Sequence, residues 1–210
     1  MILTRHFVFV HVPKTGGNFV REVLEQHAPP DWQVRRLDDH LTCRDVPPSH
    51  AALPRLAFVR NPFAWYVSWY HFQKKTRDEF FLELSDDGRL GFLETMRRTF
   101  AHPSFAAGEG PFLQTLWEML GRGLVGVRVG KMETLRADLV RLMAEACEVP
   151  PAMVAAIGSL PSQNRSSHRH YSEYYDDELR GLVLAKDKAI FDYFGYAWEE
   201  PGAGTDRRSN

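Results

Sequence analysis

A short apolar run, HFVFV (6–10), passes directly into HVPKTGGNFV (11–20). The run is β-rich, as a buried central strand is. Residues Asn18 to His27 carry apolar side chains at helical spacing, and the APP that follows ends the helix. A strand that runs into a glycine pair and then a helix is the opening of an α/β unit, and its loop has the geometry of an anion cradle. Glycine lets the backbone approach a ligand and adopt positive φ. The first N–H groups of a helix have no intrahelical partner, and the helix dipole favours negative charge there. Lys14 adds a mobile cation and Thr15 a hydroxyl, while Gly16, Gly17, Asn18 and Phe19 offer backbone N–H groups. The loop suits a phosphate or sulfate group; a tight strand-to-helix turn with a surface lysine is the plainer reading of the same residues. The nucleoside-triphosphate loop G-x-x-x-x-G-K-[ST] is not matched, because Lys14 precedes the glycines and no Lys-Ser or Lys-Thr follows Gly17.

Further along, WQVRRL and PRLAFVR read as strands and NPFAWYVSWYHFQKK as a helix, with Asn61 as N-cap and Pro62 in its first position. Short helices are expected around FFLEL and LGFLETMRRTF. GPFLQTLWEML reads as a helix, LVGVRVG as a strand and METLRADLVRLMAEAC as a helix. GSLPSQNRSSHRH is a loop by composition, and DDELRGLVLAKDKAIFDYFGY is one long closing helix with Gly195 near its end. Strands alternating with helices predict an α/β fold with a largely parallel sheet. Residues 1–198 read as one domain and 199–210, polar and glycine-containing, as a disordered tail.

The second informative stretch is FVRNPFAWYVSWYHF (58–72). Arg60 ends an apolar strand, and ligands of open α/β sheets bind outside the carboxyl ends of the strands. The next helix is apolar nearly all round, which predicts burial. Ser68 shares a face with Trp65, Trp69 and Phe72 by its spacing. A buried hydroxyl needs a partner. Either it bonds back to the carbonyl four residues earlier, or it meets a ligand oxygen beside Arg60, whose planar fork suits phosphate.

Taken together, the two motifs resemble the sulfotransferase family that uses 3′-phosphoadenosine-5′-phosphosulfate (PAPS). HVPKTGGN is similar to the family's 5′-phosphosulfate loop in glycan-type and bacterial members. RNP…VSWYHF is similar to the 3′-phosphate motif of soluble small-molecule members. VRVGKMETLRADL and YYDDELRGLVLAKDKAIFDYFGY resemble later parts of bacterial members. The likeness is strong over residues 6–20 and 55–73, weaker over 124–196 and absent over 76–112. Asn18 and Phe19 stand where Thr or Ser is common, Trp65 where glycan-type members often carry Arg, and QNRSSHRH where soluble members have a glycine-rich loop.

The resemblance implies a P-loop-like, three-layer α/β fold with a central, mostly parallel sheet flanked by helices. It implies sulfuryl transfer from PAPS to a hydroxyl of a small-molecule or carbohydrate acceptor, without a metal. Lys14 would stabilise the leaving phosphate oxygen, and N–H groups from Thr15 to Phe19 would hold the 5′-phosphate. Arg60 and Ser68 would hold the 3′-phosphate. His40, twenty positions before Arg60, matches the place of the family's histidine base; Asp38 and Asp39 would raise its basicity. His11 is expected to point along its strand and His71 to be structural. Arg165 and Arg169, with His168 and His170, would form a lid over the nucleotide. Residues 73–112 would build the acceptor pocket, with Phe80, Phe81, Phe92 and Phe105 either lining it or serving as core.

Two other readings are a nucleotide or small-molecule kinase, which the missing Walker pattern disfavours, and a non-catalytic adenosine-bisphosphate-binding module. The formal net charge of −1 on 210 residues disfavours general nucleic-acid or membrane-surface binding. Cys43 and Cys147, far apart and outside any CxxC, read as reduced thiols, which with the lack of a leader-like amino end suits the cytoplasm.

Overall fold

The computed structural model describes residues 1–105, 108–161 and 169–199. At its amino end Thr4 closes a tight turn: its hydroxyl donates to the Phe7 carbonyl at 2.8 Å and accepts the N–H groups of His6 and Phe7. The turn folds β1 (Ile2–Leu3) back on β2 (Val8–Phe9) as an antiparallel pair. β3 (Arg35–Arg36) joins the other edge of β1, also antiparallel. β4 (Arg55–Val59) lies parallel to β2, and β5 (Val127–Lys131) parallel to β4. The five-stranded order is β3-β1-β2-β4-β5.

The fold is α/β with a central sheet flanked by helices. Its parallel part is β2-β4-β5. The antiparallel β1–β2 pair was not foreseen from strand–helix alternation, and the turn at Thr4 is far too short for a parallel crossover; β3 lies in the expected WQVRRL strand but runs antiparallel to β1. The run HFVFVHV also contributes a shorter ladder strand than its composition predicts.

The chain packs as two compact units. One comprises Met1–Arg60 and the described part of Thr115–Arg165; the other comprises Asn61–Gln114 and the described part of Ser166–Asn210. The first holds the whole sheet. Ile2, Phe9, Leu56 and Phe58 meet Phe19, Val20, Val23 and Leu24 of α1 (Gly17–His27), Leu139, Leu142 and Met143 of α6 (Leu135–Ala144), and Met153 and Ile157 of α7 (Pro151–Ser159) in one core. Val8, Val10, Ala57 and Val59, which alternate with these, are buried as well, so both sheet faces are covered. α6 starts later than its sequence pattern suggests: the Asp138 carboxylate takes the Lys131 N–H and the Thr134 hydroxyl, leaving Met132–Thr134 as a 3-10 turn. α7 escapes the sequence reading, although Pro151 occupies the favoured first helical position.

The second unit is built on α2 (Pro62–Thr76), capped by the Asn61 side chain on the Phe63 N–H at 3.0 Å. With it lie α3 (Glu79–Leu84), α4 (Phe92–Ala101) and the first turn of α5 (Pro111–Leu120). The expected single closing helix is two, α8 (Asp177–Lys186) and α9 (Lys188–Phe194), separated at Asp187. Asp187 is fully buried, and its carboxylate accepts the Tyr66 hydroxyl at 2.6 Å and the Leu113 N–H at 3.0 Å. Phe63 gathers Tyr171, Tyr175, Phe191 and Trp198 around its ring. Of the tail expected to be disordered, Glu199 bonds the Tyr171 hydroxyl at 2.8 Å, and the rest lies outside the described residues.

Candidate active site

Beyond β2 the chain turns through two left-handed residues, Lys14 at φ 65° and Gly16 at φ 90°. The buried Thr15 between them donates its hydroxyl to the Val12 carbonyl at 2.8 Å. Left-handed residues alternating with ordinary ones bring successive N–H groups to one side and form an anion-binding concavity. Positive φ in a lysine is a cost that clusters at functional sites. α1 begins at Gly17 without any side-chain cap, so its first donors are not claimed from within the helix. The Phe19 N–H donates to the Gly16 carbonyl at 3.0 Å. The Thr15 hydroxyl thus closes the turn and the Phe19 N–H closes the first turn of α1.

Packing sets the position of this loop. A Cβ on Gly16 would stand 2.9 Å from Leu135 Cδ2, at the start of α6. The Phe19 ring lies under the Arg136 guanidinium, 4.9 Å away, and Arg136 donates to the carbonyls of Ile157 and Leu160 at the end of α7. Arg60 follows β4, the parallel neighbour of β2, and its Nη1 donates to the Lys14 carbonyl at 3.4 Å. Two cations forty-six positions apart thus meet at the carboxyl ends of adjacent parallel strands. Burial, and then the Arg60 charge, lower the pKa of the Lys14 ammonium.

His11 does not simply follow its strand. Its ring stacks on Phe9, 6.3 Å between centroids, and its Cδ2–Nε2 edge faces Gly17. Burial lowers its pKa to about 4, against the pull of Asp39. Sequence spacing gave no hint of this, although glycine opposite an imidazole is a readable consequence of close packing. His40 is exposed, and its N–H bonds the Asp38 carboxylate at 2.8 Å. Asp39 is bound by Arg36 at 2.8 Å and Arg21 at 3.4 Å. Burial works to raise the Asp39 carboxyl, but the Arg36 bond and charge outweigh it and hold the pKa low. The Asp39 charge acts on Arg36 and on His11.

Ser68 belongs to the second unit, on α2, and is buried at 8% exposure. Among the described residues its hydroxyl makes no hydrogen bond, so the back-bond to the carbonyl four residues earlier is not formed. Phe72, expected on the same buried face, is 46% exposed. His71 pairs with the Tyr174 hydroxyl at 3.0 Å. Phe81 and Phe92 are core; Phe80 instead sits half-buried with His102 and Phe105. Arg165 and His168 lie outside the described residues, while Arg169 pairs with Glu173 and His170 with Ser172. Cys43 and Cys147 are free thiols. Among the described residues no group of three or more His, Cys, Asp or Glu is placed to hold a metal ion, and no helix is long and apolar enough to cross a membrane.

A central sheet with an N–H-lined, lysine-bearing turn at the carboxyl end of a parallel strand defines an anion-binding α/β protein. Its fold is that of the sulfotransferases: the chain matches the crystal structure of mouse sulfotransferase SULT7A1 complexed with PAP at a TM-score of 0.54, with 15% identity, over 91% of this chain and 89% of that one. No protein-family model matches the chain, and no curated protein matches its sequence.

Proposed function

We propose that this chain transfers a sulfuryl group from PAPS to a hydroxyl of a small-molecule or carbohydrate acceptor. The observation that carries the reading is the meeting of Arg60 with the left-handed Lys14 loop at the ends of β4 and β2, within a sulfotransferase fold. In this reading the N–H groups of Thr15 to Asn18 hold the 5′-phosphate, and Lys14 stabilises the leaving oxygen. Arg60 takes the 3′-phosphate. When bound, the donor supplies an activated sulfur. The acceptor oxygen–sulfur bond forms as the sulfur–phosphate oxygen bond breaks, and the acceptor proton passes to an imidazole. Charge stabilisation and in-line positioning supply the rate. Two imidazoles are candidates for the base. His40 is favoured by its place in the sequence, and His11 by its neutral, half-buried ring against the loop. The half-buried Phe80, His102 and Phe105 are the candidate acceptor contacts. Free thiols at Cys43 and Cys147 suit a cytoplasmic setting.

Binding followed by turnover tests the proposal. Adenosine 3′,5′-bisphosphate is expected to bind tightly and ATP weakly, and a screen of hydroxyl acceptors with labelled PAPS is expected to give a sulfated product. Preference for ATP would favour a kinase. Bisphosphate binding with no transfer across the screen would favour a non-catalytic module.

A further inference from the structure

The His11 imidazole is held in an unusual setting. It is stacked on Phe9, pressed edge-on against Gly17 at the start of α1, and without a hydrogen bond to either ring nitrogen among the described residues. We propose that an anion in the Lys14–Asn18 loop raises the proton affinity of the His11 imidazole, so that donor binding brings the ring into the range where it exchanges a proton near neutral pH. The inference rests on the reading of that loop as the donor site.

The charges around the ring carry the argument. Lys14 approaches from the loop, Arg21 from α1 and the Met1 ammonium from β1, and all three oppose protonation. Asp39 favours it but is already engaged by Arg36 and Arg21. Burial adds to the cations, and the ring stays neutral far below the ordinary histidine range, at about 4. A phosphate or phosphosulfate in the N–H cradle reverses the local field, because it places negative charge beside the ring and neutralises Lys14. Nearby opposite charge raises the proton affinity of an imidazole. The proton comes from solvent, and no bond other than N–H forms.

Two consequences follow. Donor affinity and acidity become linked: a rise of about two pKa units from 4 tightens binding roughly tenfold between pH 7 and pH 5. An imidazole with pKa near 4 is also a feeble general base, whereas one brought toward the operating pH is an effective one. Donor binding would thus switch on the base and impose an order in which donor precedes acceptor.

The test follows histidine ring resonances by NMR from pH 5 to pH 8, with and without adenosine 3′,5′-bisphosphate. The His11 signal is assigned by its loss in His11→Asn and, independently, by its contact with the Gly17 α-protons. The expected result is a ring that stays neutral throughout without ligand and titrates within the range when ligand is bound. Calorimetry should show binding tightening more on acidification in wild type than in His11→Asn, whose remaining dependence belongs to the ligand's own phosphates. Bound ligand with a His11 ring that still fails to titrate overturns this inference and leaves the donor-site reading standing. Absence of binding overturns both.

Discussion

A Cβ placed on Gly17 would stand 2.0 Å from His11 Cδ2 and 2.3 Å from Nε2. The first residue of α1 is therefore glycine because an imidazole from the end of β2 occupies the space where a side chain would go. Gly17→Ala should displace the ring or the loop, at a cost of about 1–3 kcal/mol, typical of overpacking. Adenosine bisphosphate binding should fall with it. Adding His11→Ala should recover most of the stability, since the two residues share one contact. Thermal melts of the two single variants and the double variant check this, and additive losses would refute the steric coupling.

Lys14→Ala should reduce turnover much more than nucleotide affinity, because its charge matters most as the leaving oxygen develops charge. Loss of such a stabiliser typically lowers kcat by about 10²–10³. Single-turnover transfer with labelled PAPS measures it; near-normal kcat would remove Lys14 from the chemistry.

Arg60→Ala should weaken binding of adenosine 3′,5′-bisphosphate by roughly 10- to 150-fold, the loss of about 1.5–3 kcal/mol from a charge-assisted contact. Adenosine 5′-phosphate, which lacks the 3′ group, should lose far less. Calorimetry on both ligands decides the matter. Equal losses would mean that Arg60 acts through its bond to the Lys14 carbonyl and not on the 3′-phosphate.

The base is decided by a pair of variants. Whichever of His40→Ala and His11→Asn removes it should cut transfer by roughly 10²–10⁴ and abolish the acidic limb of the pH–rate profile. The other should leave the limb in place. The exposed His40 and half-buried His11 make this a clean contrast, and an unchanged limb in both would exclude these two imidazoles as the base.

In the second unit, burial pushes the Asp187 carboxyl up to about 7, despite the bonds from Tyr66 and Leu113. An acid whose pKa is raised on folding contributes stability that is fully present below its unfolded value and lost as pH rises through the folded value. Melting temperature should therefore decline between about pH 4 and pH 7 through this group. Asp187→Asn, which retains an acceptor for the Leu113 N–H and has no charge to bury, should flatten that decline. Parallel pH curves for wild type and variant would show that Asp187 does not titrate there.

Local pattern made much of this protein readable from its residues alone. The strand–Gly-Gly–helix turn, the Asn61-Pro62 start of α2 and the apolar run before Arg60 each depend on a few neighbouring residues, and each appears where it was expected. So does the α/β class, which follows from alternating periods. What only the tertiary structure decided involves partners distant in the chain. The antiparallel β1–β2 pair depends on a turn closed by one threonine hydroxyl. The break at Asp187 depends on Tyr66, 121 positions away, and on the Leu113 N–H, 74 positions away. Short-range periodicity carries no trace of such a buried bond, so the α8–α9 stretch looked like one helix. His11 was likewise legible as a residue but not as a site, because its neutrality comes from burial and from charges on three separate elements, which a linear sequence does not bring together.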